Sequence, residues 1–188
     1  MKKQQTTREQ MTDPDSEYIL RICTCKCIPL RCLFECIKEI LGDTVLCFSE
    51  QGIKNMDISG TKTVISHVFL HADQFEEYTC KRPIRLGINT NNVFNILKGI
   101  SNDDTLTLAV REQNPNILEI YIKSNTKHSV TNVHYTTLDI EYTDMTMHDI
   151  ETMFQVNLHT KDFQNMCSSM NIADRITFRC YNGRFSAQ

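Results

Sequence analysis

IRLGINTNNVFNILKGISNDDTLTLAV, residues Ile84 to Val110, reads as strand, polar cap, short helix, polar turn and strand. Ile84, Leu86 and Ile88 alternate with Arg85 and Gly87, the pattern of a half-buried strand. Asn89, Thr90 and Asn91 offer side-chain oxygens to the free amides of a helix start. Val93, Leu97 and Ile100 then share one helical face, which Phe94 and Ile96 widen. Asn91, Asn95 and Lys98 fall on the opposite face, with no acid among them. Gly99 and Ser101–Asp104 close the helix, and Leu106 and Leu108 open a new strand.

Working outward, the same unit recurs on either side. Tyr18–Cys27 is predicted as strand, Pro29–Leu41 as helix and Val45–Ser49 as strand. Farther on, Phe154–Leu158 is predicted as strand, Thr160–Met170 as helix and Ile176–Cys180 as strand. The helix starts are roughly sixty to seventy residues apart, too long for a common solenoid period and suited to pseudo-symmetric half-domains. Between the units, Val45–Leu70 reads as a three-stranded meander with turns at Glu50–Gly52 and Ser59–Lys62. Ile117–Ile122 and Ser129–Tyr135 read as two strands joined at Lys123–Lys127. The fold class expected is α+β.

The chain has 188 residues, 40% of them hydrophobic, and a formal net charge of -3. That length carries one domain or somewhat more, with enough apolar residues for a core. The charge excludes a uniformly basic nucleic-acid binder, so any DNA contact requires cations gathered on one surface. No apolar run has membrane-spanning length and no apolar segment follows Met1, so a soluble, intracellular protein is expected. Nine cysteines are then read as reduced thiols, and their odd number argues against a complete disulfide framework. Residues 1–17 are polar and charged and are expected to be a disordered extension. Residues 136–151 are acidic, without helix or strand period, yet carry Leu138, Ile140, Tyr142, Met145 and Met147, the composition of a linker with an apolar row.

Several stretches together resemble the proliferating cell nuclear antigen family, the sliding clamps of eukaryotes, archaea and some large DNA viruses. They are CIKEIL (36–41), FSEQGIKNMD (48–57), FEEYTCKRPIRLGIN (75–89), NILKGISNDDTLTL (95–108), TLDIE (137–141) and DRITFRCYNGRFSA (174–187). The likeness runs from about Tyr18 to the last residue, broken at 142–151. It implies the DNA clamp fold, with helices lining a hole and antiparallel sheets outside. Residues 18–136 would be clamp domain 1, 137–151 the interdomain connector, and 152–188 the first half of domain 2. On that comparison the chain is expected to be a fragment or a truncated gene product.

The resemblance also implies sites. Arg31, Lys38 and Lys98 match basic positions on the clamp's inner helices, where sparse cations hold phosphate charge without reading bases. Cys32, Asn95, Asn165 and Ser168 stand where cellular clamps tend to carry Lys or Arg, so a less positive cavity is expected. A client groove would use Leu138, Ile140, Tyr142 and Met145 of the connector, with Met56 or Ile58 from the early hairpin according to how that hairpin is matched. The subunit contact would use Val130, Val133 and Tyr135, pairing with a strand that begins at Arg184 and Phe185.

The implied function is that of a DNA polymerase processivity factor that encircles duplex DNA and tethers replication and repair proteins. Its expected partners are duplex DNA, polymerases and other clamp-binding proteins, and a clamp loader. A homotrimer is implied for the full-length family rather than for this chain alone. The expected location is the nucleus, or a cytoplasmic replication site if viral. No nucleotide loop, nucleophile–base pair or acid–base dyad stands in a suitable context, so no enzyme activity and no cofactor are expected. The alternative is a clamp-fold module that binds clients without encircling DNA. A weaker one is a metal-binding regulator built on Cys23, Cys25 and Cys27, read as one strand face, with Cys32 and Cys36 on a helix face. The C-x-C-x-C spacing is not the usual C-x-x-C ligand pair, and no metal is expected.

Overall fold

The computed structural model describes residues 17–146, 155–171, 174–181 and 183–187. The expected disordered extension lies, but for Glu17, outside these residues. The chain separates into two compact units divided between Met145 and Thr146.

The first unit is two half-domains of one design. Tyr18–Thr24 (β1), Cys27–Ile37 (α1), Asp43–Ser49 (β2), Gly52–Ile58 (β3) and Ile65–His71 (β4) form the first, followed by the short strand Glu77–Cys80 (β5). Ile84–Asn89 (β6), Thr90–Leu97 (α2), Asp104–Arg111 (β7), Ile117–Ser124 (β8) and Ser129–Thr136 (β9) form the second. The halves exchange their first strands. One sheet runs β5-β1-β7-β8-β9 and the other β4-β3-β2-β6, so each combines a leading strand from one half with the last three of the other. All these pairings are antiparallel, with Ile22 opposite Leu108 and Leu46 opposite Leu86. The unit is α+β, as the sequence predicts.

Alternation in the strands and the 3.6-residue period in the helices send their apolar sets to one core. Leu20, Ile22, Phe48, Ile88, Leu106 and Ile120 are almost fully buried there, with Leu30 and Phe34 of α1 and Val93 and Leu97 of α2 above them. Each such side chain stabilises the fold by about 1.5–3 kcal/mol on burial. Asn89 caps α2, its side-chain oxygen accepting the Asn92 amide at 3.0 Å. Inside the second sheet, Asn55 donates to Thr44 Oγ1 at 2.8 Å and Thr44 donates to Asp57 at 2.7 Å, which ties β2 to β3.

Three local expectations change. The helix read over 29–41 occupies Cys27–Ile37, and a turn follows in which the Ile40 and Leu41 amides both donate to Ile37 O at 2.9 and 2.8 Å. That turn keeps Leu41 buried, so the apolar stripe outlasts the helix. The strand read over Tyr18–Cys27 ends at Thr24, whose hydroxyl accepts the Lys26 amide at 3.0 Å. Cys25 therefore lies beyond β1 and Cys27 opens α1, so of the three cysteines read as one strand face only Cys23 is on the strand.

In the second unit, Thr160–Met170 is helical (α3) as predicted, and Phe178–Tyr181 (β10) pairs with Arg184–Ala187 (β11). Residues 155–158 of the expected strand Phe154–Leu158 have no regular structure, and Phe154 lies outside the described residues. A strand persists only where another edge satisfies its amides, and among the described residues of this unit only β10 and β11 pair.

Candidate functional site

The polar sides of α1 and α2 carry the predicted cations, and the fold gives each a different environment. Arg31 Nη1 donates to Ile100 O just beyond the end of α2 at 3.2 Å, so its charge is held against carbonyls at a helix C-terminus. Lys38 follows α1 directly. Its ammonium group is ion-paired with Glu39 and sits 5.0 Å from the Phe94 ring centre. Lys98 follows α2, is exposed, and donates only to the neutral Asn95 side chain at 3.2 Å. Exposed Cys32, Glu35, Cys36 and Glu39 lie beside these bases on and just after α1, and exposed Asn91 and Asn95 on α2. Three bases thus face two acids, with Lys98 the cation least committed to the protein itself. On α3, Asn165 and Ser168 are exposed, and the Ser169 hydroxyl donates to Asn165 O at 2.8 Å.

The connector crosses the second sheet at Gly87. Leu138 N donates to Gly87 O at 2.8 Å, an antiparallel bridge. Upstream, the amide and hydroxyl of Thr137 both donate to Asn116 O, at 2.9 and 3.0 Å. A side chain at position 87 would place its Cβ 2.2 Å from Leu138 O, so only glycine admits this approach. Beyond the bridge, Tyr142 lies over Arg85, ring centre to guanidinium 4.6 Å, and its hydroxyl donates to Asp144 at 3.2 Å. The neighbouring Cys47 sulfur, partial burial and Asp144 hold the Tyr142 phenol proton above the usual tyrosine range.

These contacts enclose a pocket of about 490 Å3. Leu138, Ile140 and Tyr142 of the predicted set line it, together with Val45, Arg85 and Gly87 of the sheet. Met56, Ile58 and Met145 are not in its lining. Met56 is buried in β3, whereas Ile58 is 40% exposed at the end of the same strand. Val45, Arg85 and Gly87 were not singled out from sequence. Val45 shares parity with Cys47 on β2, and a glycine inside the strand pattern Ile84–Ile88 was the readable sign of a close backbone approach.

The predicted subunit-contact residues divide between the faces of β9, the last strand of its sheet. Val130 is 68% exposed. Val133 and Tyr135 lie opposite Ile120 and Leu118 and pack on the core, and the Tyr135 hydroxyl accepts the Asn89 amide at 2.8 Å. In β11, Arg184 is opposite Tyr181, and Phe185 stacks on Phe178 with ring centres 5.7 Å apart.

The first sheet's outer side holds a buried carboxylate. Glu119 accepts Arg111 Nε at 2.8 Å and the Tyr121 hydroxyl at 2.6 Å, while Arg111 also reaches Glu17 at 2.9 Å and the Tyr18 hydroxyl at 2.8 Å. Burial raises the Glu119 pKa, but the Tyr121 and Arg111 hydrogen bonds outweigh it and leave it below the usual range. All nine cysteines are free thiols, and no group of three metal-ligating side chains forms among the described residues. Burial pushes the Cys27 thiol up to about 11, and it donates to Thr24 O and Asp104 O.

Comparison with known proteins agrees with this architecture. A probable DNA polymerase sliding clamp of Paramecium bursaria Chlorella virus 1 is 29% identical over 157 residues, covering 84% of this chain and 60% of the relative. Proliferating cell nuclear antigen of Dictyostelium discoideum is 24% identical, over 78% of this chain and 57% of its own length. The chain therefore spans about three fifths of these relatives. The crystal structure of proliferating cellular nuclear antigen from Entamoeba histolytica matches with a TM-score of 0.77 at 20% identity, over 88% of this chain and 66% of that one, and shows the same fold. The profile of the proliferating cell nuclear antigen N-terminal domain matches residues 25–146, so the chain belongs to the proliferating cell nuclear antigen family.

Proposed function

We propose that this chain is a non-enzymatic DNA sliding-clamp subunit, a processivity factor whose α1 and α2 face duplex DNA. The observation that carries the reading is the family match over 25–146 on a fold in which α1 and α2 lie side by side, Arg31 of α1 bonded to Ile100 O just past α2 and Lys38 over Phe94. Residues 18–136 serve as clamp domain 1, 137–151 as connector and 152–188 as the first half of domain 2. Lys98 supplies the principal phosphate contact, Lys38 contributes through its partly neutralised ammonium, and Arg31 chiefly braces α1 against α2. The pocket beneath Leu138, Ile140 and Tyr142 receives the apolar anchors of polymerases and other clients. Met56, Ile58 and Met145 stay outside the lining of that pocket.

The open edge of β9 pairs with a strand of the next subunit, to which Arg184 and Phe185 belong, as in a homotrimer assembled by a clamp loader. The site of action is the nucleus, or a cytoplasmic replication site for a viral protein. A second reading, a client-binding module that does not encircle DNA, is favoured by one observation: the Arg31 and Lys38 charges are engaged within the protein.

Retention on DNA separates the two. A clamp is retained on closed circular DNA at moderate salt and lost when the circle is cut, because it slides off the ends. Equal retention on circular and linear DNA, or none on either, overturns the clamp reading and favours the module.

A further inference from the structure

A second cleft, of about 450 Å3, adjoins the connector pocket and has no part in the roles above. Its walls are the 82–86 segment at the start of β6 and Pro115 and Asn116 of the β7–β8 turn. Arg85 and Asn116 line both hollows. Two arginines, Arg82 and Arg85, face this cleft, and no carboxylate is in its lining. Among the described residues neither arginine makes an ion pair. Tyr142 covers one face of the Arg85 guanidinium, a contact that fixes the plane and leaves its edge N–H groups for a carboxylate.

The backbone contributes a second feature. β6 ends its sheet. Gly87 O is taken by the connector and Asn89 N by Tyr135, so the odd-numbered residues turn their peptide groups to the open edge. By that alternation Arg85 directs its N–H and C=O to the same edge, and neither has a partner among the described residues. Pro83 and Pro115 add walls without N–H donors.

We propose that this cleft takes an acidic, extended segment flanking the anchor motif of a client protein, its backbone pairing with the β6 edge at Arg85 and its carboxylates meeting Arg82 and Arg85. The inference rests on the proposed client groove and names the chemistry of what lies beside the anchors. Asp139, Glu141 and Asp144 on the connector repel carboxylates from that side, which leaves the arginine cleft as their place.

The test uses fluorescent peptides carrying apolar anchors for the groove, flanked on either side by short runs of Glu, Ser or Lys, titrated into the full chain. A Glu flank on one side is expected to tighten binding about tenfold over Ser, because charge-assisted pairs with a held guanidinium are the strong ones. The Glu-over-Ser preference should disappear in the Arg82→Gln/Arg85→Gln chain, read against Ser-flanked binding in the same variant because Arg85 also lines the anchor pocket. Arg82→Gln alone, which leaves the Tyr142 stack intact, should remove part of it. Equal binding of Glu and Ser flanks, tighter binding of Lys flanks, or a gain that survives the double substitution overturns the inference and leaves the groove standing. Failure of every peptide to bind overturns the groove and this inference together.

Discussion

Lys98 and Arg31 are both bases on the helical side, yet their surroundings assign them different work. Lys98 is exposed and bonded only to a neutral amide, so Lys98→Ala should lower the slope of log binding against log salt on duplex DNA by about one, with little change in stability. Arg31→Ala should instead cost about 1 kcal/mol by freeing the Ile100 carbonyl, with a smaller change in the slope. Salt titrations and chemical denaturation of both variants check this. Glu119 gives a pH-dependent case. Its folded pKa lies below the unfolded value near about 4.3, so its stabilisation is present above that pH and lost as pH falls through the folded value. Glu119→Gln should therefore destabilise by about 2 kcal/mol at neutral pH, and the gap from the parent chain should close below about pH 4. Denaturation curves across pH 3 to 7, on the order of these limits, test the sign. Glu119 escaped sequence reading because a glutamate at an outward strand position is ordinarily solvated. Its burial depends on Arg111 arriving from β7 beside Tyr121 of its own strand.

At the scale of elements, the connector is the part whose path sequence could least supply. Its apolar row was readable, but residues 136–151 have no period, so nothing local fixed which strand they would cross. Gly87 decides that point by admitting the Leu138 bridge. Gly87→Ala should detach the start of the connector while leaving both sheets folded. The Leu138 amide, bonded to Gly87 O in the parent chain, should exchange with solvent faster in the variant than in the parent, and anchor-peptide binding should fall about tenfold or more. Helix and strand assignments were legible where period and cap agree, as at Asn89 and α2. They slipped where a turn continues the apolar stripe, after Ile37, and where a strand-like run at 155–158 has no partner edge.

For the whole molecule, closure of protomers on the clamp reading rests on the edge of β9. β9 ends its sheet with Val130 exposed, while Val133 and Tyr135 are committed to the core, so a neighbouring strand would be held mainly by backbone pairing. On the clamp reading, light scattering over a range of concentrations should give a mass that rises towards three protomers. A Val130→Lys chain should shift that rise to higher concentration, because a cation on an edge strand discourages pairing. A mass of one protomer at every concentration would favour the non-encircling module.

The α+β class, the repeated strand–helix–strand unit and the family are legible in the chain alone, because they reside in local periodicity, capping residues and the order of short motifs. The exchange of leading strands between the halves, the seat of the connector on Gly87 and the acid-free cleft of Arg82 and Arg85 emerge on folding. Each of these depends on atoms far apart in the chain meeting at distances of a few ångströms, which no local pattern specifies.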